Sequence, residues 1–251
     1  MSKKRRNGCQ EEIEVLSQAL IQNGRAMEEH TKKKHWSVHD IKKIQPLNDA
    51  QDDMFHSWYN NQHICAHGSA GTGKTFLALS LAINEVLNKH QQKIIIVRSA
   101  VPTREIGFLP GTLEEKTAQY ELPYHDIMWE LVGRASTYRD MKEAGLINFT
   151  TTSFIRGLTW DNAIVVVDEG ENMNLHEIDS IMTRIGNNSR VLFTGDIRQT
   201  DLDGKRNGVS GMADALQIFN NMREFDLIEF TKHDIVRSEF VKSWIIASEE
   251  I

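Results

Sequence analysis

Cysteine is scarce in this sequence: two in 251 residues, Cys9 and Cys65, far apart and outside any CxxC pair. That spacing excludes a disulfide framework and a zinc knuckle, and it fits a reducing compartment. No run of about 18 apolar residues occurs, so no membrane span is predicted. The opening MSKKRRNGCQEE is basic but has no apolar stretch behind it, so it does not read as a secretory signal, and a cytoplasmic protein is expected. Positive charge is also short. A net charge of −6 gives the molecule no global attraction for nucleic acid or acidic lipid, so any polyanion must be met by local patches. Internal repeats and low-complexity segments are absent.

What is present points to a globular protein. Hydrophobic residues make up 40% and charged residues 25%, enough to bury a core. The length suits one sizeable α/β domain with an appendage and leaves little room for two domains. Residues 1–43 carry ten Lys/Arg against six Asp/Glu, leaving 19 against 29 for the remainder. Within that basic segment, residues 1–10 read as disordered. Ile13, Leu16, Leu20 and Met27 recur at helical spacing from Glu11 to about His30, and Thr31–Lys43 reads as a linker. The expected division is therefore a basic N-terminal segment with one helix over 1–43 and a main domain over 44–251.

Strand and helix patterns alternate through the main domain. Strands are predicted at His63–Ala66, Lys93–Arg98, Leu146–Thr151, Ala163–Asp168, Arg190–Thr194 and Leu227–Phe230. Helices are predicted at Lys74 to about Lys89, Glu114–Tyr120, Asp126–Glu143, Leu175–Ile185, Met212–Met222 and Ser238–Glu250. Such alternation implies an α/β fold with a parallel sheet flanked by helices on both faces.

The chemistry concentrates in one stretch. Gly68, Ser69, Ala70, Gly71, Thr72, Gly73, Lys74 and Thr75 fit GxxxxGK[ST], after a strand and before a helix, with Phe76 behind them. Glycines let backbone amides wrap phosphates, and a helix N-terminus adds a favourable dipole. Lys74 is placed to reach the β and γ phosphates of ATP, and the Thr75 hydroxyl to ligate Mg2+. The second half of the site is read at Ile164-Val-Val-Val167-Asp168-Glu169, where two carboxylates follow a buried strand at the edge where open α/β sheets bind ligands. Asp168 is the expected magnesium partner, and Glu169 the general base for the attacking water. A Glu beside the magnesium Asp marks ATPases with an extra strand between the two motif strands, and Lys93–Arg98 and Leu146–Thr151 lie between them in sequence.

Weaker patterns gain weight from that context. Thr194-Gly195-Asp196-Ile-Arg-Gln199 resembles the GDxxQ motif of superfamily 1 helicases, in which Gln199 would report on the γ-phosphate. Pro46-Leu47-Asn48-Asp-Ala-Gln51 resembles their LNxxQ element, in which Gln51 would read the adenine edge; the alternative is a helix start with Asn48 as cap. Thr231-Lys-His-Asp234 fits a guanine-reading [NT]KxD pattern, but no DxxG follows Asp168 to support it. His63-x-Cys65-x-His67 alternates like metal ligands but lies in the strand feeding the phosphate loop, where packing is the plainer reading. The five Trp are spread out and read as core or interface rather than a base-stacking platform.

Several segments together resemble one family. Arg98-Ser-Ala-Val101, Gly107-Phe-Leu-Pro-Gly111, Glu115-Lys116, Pro123-Tyr-x-Asp126, Arg156-Gly157-x-Thr159, Thr183-Arg-Ile-Gly186 and Ser210-Gly211, in order around the motifs above, are similar to the PhoH-like ATPases of bacteria and their phages over roughly residues 44–247. The resemblance implies a RecA-like P-loop NTPase core, ATP hydrolysis with Mg2+, single-stranded RNA or DNA as partner, and a homo-oligomeric ring, a hexamer being suspected. A single core has no second motor domain to donate an arginine to the γ-phosphate, so a neighbouring subunit would supply it. Arg237 is the first candidate and Arg184 the second. Where the family commonly has Pro after Arg, this chain has Ser99. Where it commonly reads DEAQN, this chain has Asp168-Glu-Gly-Glu171-Asn172, and Glu171 is expected to be an acceptor-only anion at pH 7. A regulatory ATPase that switches a protein partner, or a small-molecule kinase, would use the same loop.

Overall fold

The computed structural model describes residues 36–99, 113–197, 202 and 209–248, with the backbone alone for 113–117. The N-terminal helix expected before residue 31, the Gly107–Gly111 segment and Gln199 lie outside the described residues. In chain order the elements are α1 (Asp49–Tyr59), β1 (His63–Gly68), α2 (Lys74–Leu87), β2 (Lys93–Arg98), α3 (Leu113–Val132), α4 (Thr137–Glu143), β3 (Ile147–Thr151), β4 (Ala163–Asp168), α5 (Leu175–Met182), β5 (Arg190–Gly195), α6 (Met212–Asn220), β6 (Phe225–Phe230) and α7 (Glu239–Ser248).

The six strands form one sheet in the order β3-β2-β4-β5-β1-β6, and each recorded pairing is parallel. Parallel strands covered on both faces must bury both sets of side chains, and β4 does so along its whole length. Alternate residues divide cleanly between two cores. Ile64, Ile96, Val166 and Leu192 pack with α1, α2, α3 and α4, while Cys65, Val97, Val167 and Phe193 pack with α5 and α6. Each fully buried aliphatic side chain of this kind contributes about 1.5–3 kcal/mol.

The sheet order corrects the expected route of the interposed strand. The strand between the phosphate-loop strand β1 and the acid strand β4 is β5, which follows both in sequence. The two strands that intervene in sequence, β2 and β3, lie on the outer side of β4. The arrangement is RecA-like, and a strand order of this kind is invisible to local pattern because crossover connections choose the neighbours.

Three local readings change. Instead of two helices separated around Pro123, α3 runs through it and ends before Gly133. Proline removes one helical hydrogen bond. Here side chains on either side of it anchor the helix: Glu121 accepts from Tyr138 and Lys142, and Tyr124 donates to Asp168. Second, the alternative reading of Pro46–Gln51 holds: α1 starts there, capped by Asn48, whose side chain accepts from the Gln51 amide at 2.9 Å. Third, the last part of the expected linker is structured. Trp36 joins the α1–α4 core, Ser37 caps a short turn at Val38–Asp40, and the Lys42 amide donates to the Leu131 carbonyl.

Candidate nucleotide site

The phosphate loop is held open by its own chain. Gly68 has φ +110°, and a Cβ there would meet the Phe230 carbonyl oxygen at 2.0 Å, so only glycine lets β1 run beside the end of β6. Inside the loop, the Lys74 ammonium donates to the carbonyls of Gly68 and Ser69, each at 2.7 Å, and Thr72 Oγ1 donates to the Ser69 carbonyl at 3.0 Å. Burial pulls the Lys74 pKa below the ordinary lysine value, and the nearby carboxylates of Asp196, Glu171 and Asp168 oppose that shift. The helix that follows starts at a left-handed Gly73, with no side chain capping its first amides and no acid in its first turn. A helix N-terminus left in that condition suits an anion.

Asp168 is the hub of the site. Its Oδ1 accepts from Thr75 Oγ1 at 2.7 Å and from Thr194 Oγ1 at 2.7 Å, and its Oδ2 accepts from the Tyr124 hydroxyl at 2.9 Å. Tyr124 and Thr194 stand inside sequence motifs that assign them no role; the fold gives each one. No spacing rule finds Tyr124, because its reach depends on how α3 crosses the sheet. The neighbouring Glu169 adopts the left-handed conformation, φ +52° and ψ +49°, and turns its carboxylate to an ion pair with Arg98. Burial raises the Glu169 pKa, and the Arg98 charge opposes this.

Glu171 is buried, and its Oε2 accepts from the Asp196 amide at 2.9 Å. Burial pushes its carboxyl up to about 7. That shift runs against the expected acceptor-only anion, since it favours the protonated carboxyl, which can donate. Beside it, Gly170 has no room for a side chain, since a Cβ would meet the Phe193 ring at 2.3 Å.

A cleft of about 970 Å³ runs over the loop, lined among others by Gln51, Lys74, Thr75, Phe76, Asp168, Glu169 and Arg237. Gly68 and Ser69 support it from beneath, and Ala70, Gly71, Thr72 and Gly73 form its wall. Gln51 is buried there. Its Oε1 accepts from the Leu47 amide at 2.9 Å and its Nε2 donates to the Thr72 carbonyl at 3.1 Å, tying α1 to the loop. Arg237 lies on the cleft of its own chain: its Cγ is 3.1 Å from where a Cβ on Gly71 would stand, and the Val236 amide donates to the Gly71 carbonyl at 3.0 Å. Arg184 is elsewhere. Its carbonyl accepts from the Trp160 amide ahead of β4, at the edge of the sheet opposite the cleft.

The remaining patterns resolve as packing. The Asp234 carboxylate accepts from the Thr231 amide and hydroxyl, each at 2.8 Å, capping its own short turn rather than reaching a base. His63 stacks on Phe225 and its Nδ1 accepts from the Val191 amide. Cys65 is buried, which raises its thiol pKa strongly, and among the described residues no three or more His, Cys, Asp or Glu side chains gather as a metal-ligand cluster. Of the tryptophans, Trp36, Trp58 and Trp160 are buried, while Trp129 and Trp244 are exposed. Among the described residues no helix is long and apolar enough to cross a membrane.

The donor set fits a magnesium nucleotide. Thr75 and Asp168 converge hard oxygen atoms at one end of an amide-lined cradle, which is the ligand chemistry magnesium takes beside phosphate. A phosphate loop and an acid strand separated by one further parallel strand make the molecule a P-loop NTPase with a RecA-like core. Its sequence places it more narrowly. The chain belongs to the PhoH-like family, whose model, described as PhoH-like protein, matches residues 43–249. It is 37% identical over 192 residues to the PhoH-like protein of Bacillus subtilis (strain 168), covering 76% of this chain and 59% of that protein. It is 34% identical over 201 residues to Protein PhoH of Escherichia coli (strain K12), covering 79% of this chain and 56% of that protein. The chain thus spans a little over half the length of these relatives. Among solved structures, the Sulfolobus solfataricus SWI2/SNF2 ATPase core in complex with dsDNA aligns with a TM-score of 0.44 at 13% identity, over 79% of this chain and 47% of that one. The Pif1 helicase from Candida albicans aligns at 0.38 and 15% identity, over 75% and 41%.

Proposed function

We propose that this chain binds ATP with magnesium, hydrolyses it, and couples hydrolysis to single-stranded RNA or DNA within a homo-oligomeric ring. The observation that carries the hydrolytic reading is Asp168, joined to Thr75 across the mouth of the phosphate loop, with Glu169 next to it on the same cleft. Magnesium, when bound, would supply positive charge against the charge developing on the transferred phosphoryl group. The residues do the rest. Loop amides and Lys74 would hold the phosphates, and Thr75 and Asp168 would hold the metal. The oxygen of a water bonds to the γ-phosphorus as the bond to the bridging oxygen breaks, and the water proton passes to the Glu169 carboxylate. Gln51 has a further N–H and a further lone pair for the base edge.

The nucleic-acid reading is supported by the exit of β3, at the same sheet edge as the cleft, where Phe154 and Arg156 are exposed. An exposed aromatic ring beside a guanidinium suits an unpaired base and its phosphate. Within such a ring Arg184, which stands away from its own chain's cleft, is the arginine placed to face another copy's. The test is steady-state ATP hydrolysis with and without single-stranded RNA or DNA, alongside Lys74→Ala. Acceleration by a polynucleotide, absent in the variant, is expected.

A second reading has its own support. Phe240 and Trp244 on α7 expose apolar surface beside the cleft, as a nucleotide-switched protein contact would. Hydrolysis indifferent to every polynucleotide would favour that reading.

A further inference from the structure

Arg98 ends β2, directly opposite Asp168 in the β2–β4 register, and besides Glu169 its charge is felt by Asp168 and Tyr124. The cleft is lined by Glu169, whereas Arg98 stands outside it and pairs with the Glu169 carboxylate. Its guanidinium carbon also lies 5.5 Å from the centre of the Tyr120 ring. The side chain is 17% exposed, close enough to the surface to meet an incoming anion. A guanidinium paired with a carboxylate fixes its direction, and a carboxylate turned toward that partner is not turned toward a water in the cleft.

We propose that Arg98 is a positioning residue that holds Glu169 off the attacking water, and that a backbone phosphate of a bound polynucleotide draws it away. The proposal rests on Glu169 being the base of the hydrolysis proposed above. Phosphate is the fitting competitor, since a guanidinium binds phosphate and carboxylate with the same two-pronged geometry. One strand outward from Arg98, the end of β3 leads into the exposed Phe154 and Arg156. A strand lying across that edge passes within reach of the guanidinium. Polynucleotide binding and release of the base are then one event.

The experiment compares ATP hydrolysis by the full chain and by Arg98→Ala, Arg98→Lys and Arg98→Ala/Glu169→Gln, each with and without single-stranded RNA or DNA. A bond of this charged kind sets the scale, so Arg98→Ala should raise the polynucleotide-free kcat by about tenfold with KM nearly unchanged. Polynucleotide should then accelerate it no further. The lysine variant, lacking the fork, should fall between, and the double variant should lose the gain. Thermal unfolding and fluorescent-nucleotide binding check that each variant folds. If the alanine variant does not, the lysine variant decides, and a basal rate at or below wild type overturns the proposal. So does a fall in basal kcat in a folded Arg98→Ala protein, or a double variant as fast as the single one. If wild type ignores polynucleotide while Arg98→Ala is faster, the restraint stands and the nucleic-acid reading falls. If wild type is accelerated and Arg98→Ala behaves like it, the restraint falls and that reading stands.

Discussion

The Tyr124 hydroxyl donates to Asp168 Oδ2 at 2.9 Å from a position with no solvent exposure. A helix crossing one face of the sheet thus helps fix the orientation of the acid whose other oxygen, Oδ1, accepts from Thr75 and Thr194. Tyr124→Phe removes that bond and leaves the carboxylate under-satisfied. A hydrogen bond to a charged group contributes about 1.5–3 kcal/mol. The magnesium concentration giving half-maximal hydrolysis should therefore rise about tenfold, with kcat at saturating magnesium retained. A titration that overlays wild type would show that Thr75 and Thr194 orient Asp168 without help.

Glu171 gives a pH dependence with a defined sign. Its carboxyl rises from the usual 4.5 to about 7 in the folded chain. The contribution of its protonated form to stability is complete below the unfolded value and is lost as pH rises through about 7. Glu171→Gln removes that loss. Relative to wild type it should be little changed at pH 4 and more stable at pH 8, by up to about 3 kcal/mol at about 1.4 kcal/mol per unit. Melting temperatures across this range decide it; a difference that does not vary with pH would refute it.

Gly170 and Phe193 are matched in volume. Gly170→Ala would force a methyl into a ring that is wholly buried and packed on Phe219. Overpacking of this kind costs about 1–3 kcal/mol. Urea unfolding should show that loss. Gly170→Ala/Phe193→Leu should lose less than the two single variants together, and strict additivity would mean the ring moves aside freely.

Arg237 reaches its own chain's loop, which makes a mixing test decisive. Arg237→Ala should weaken ATP binding several-fold, with no dependence on protein concentration. Mixed with Lys74→Ala, it should recover no activity, because each cleft would still lack one of its own residues. Recovered turnover on mixing would instead show that Arg237 serves a neighbouring copy.

Much of this site was readable from the sequence for physical reasons that can be named. The phosphate loop needs glycines at fixed spacing. Runs such as Ile94–Val97 and Ile164–Val167 are β-branched and bounded, and β2 and β4 have the predicted limits. What escaped depends on distant pieces meeting. The insertion of β5 between β1 and β4 is set by crossovers. The Tyr124–Asp168 bond needs α3 to continue through Pro123, which local propensity argues against. Arg237 touches the loop only because the chain returns after β6. The shifted acidity of Glu171 arises from burial, which no spacing encodes.

That return after β6 affects synthesis as well as architecture. The loop that would take ATP emerges early from the ribosome, but the Phe230 carbonyl against Gly68 and the Val236 amide on Gly71 are translated much later. A nascent chain carrying every residue of the sequence motif would still lack one wall of its cradle. Nucleotide capture should therefore wait until translation has passed Arg237, and ATP would stabilise chains that extend beyond it over chains interrupted before it.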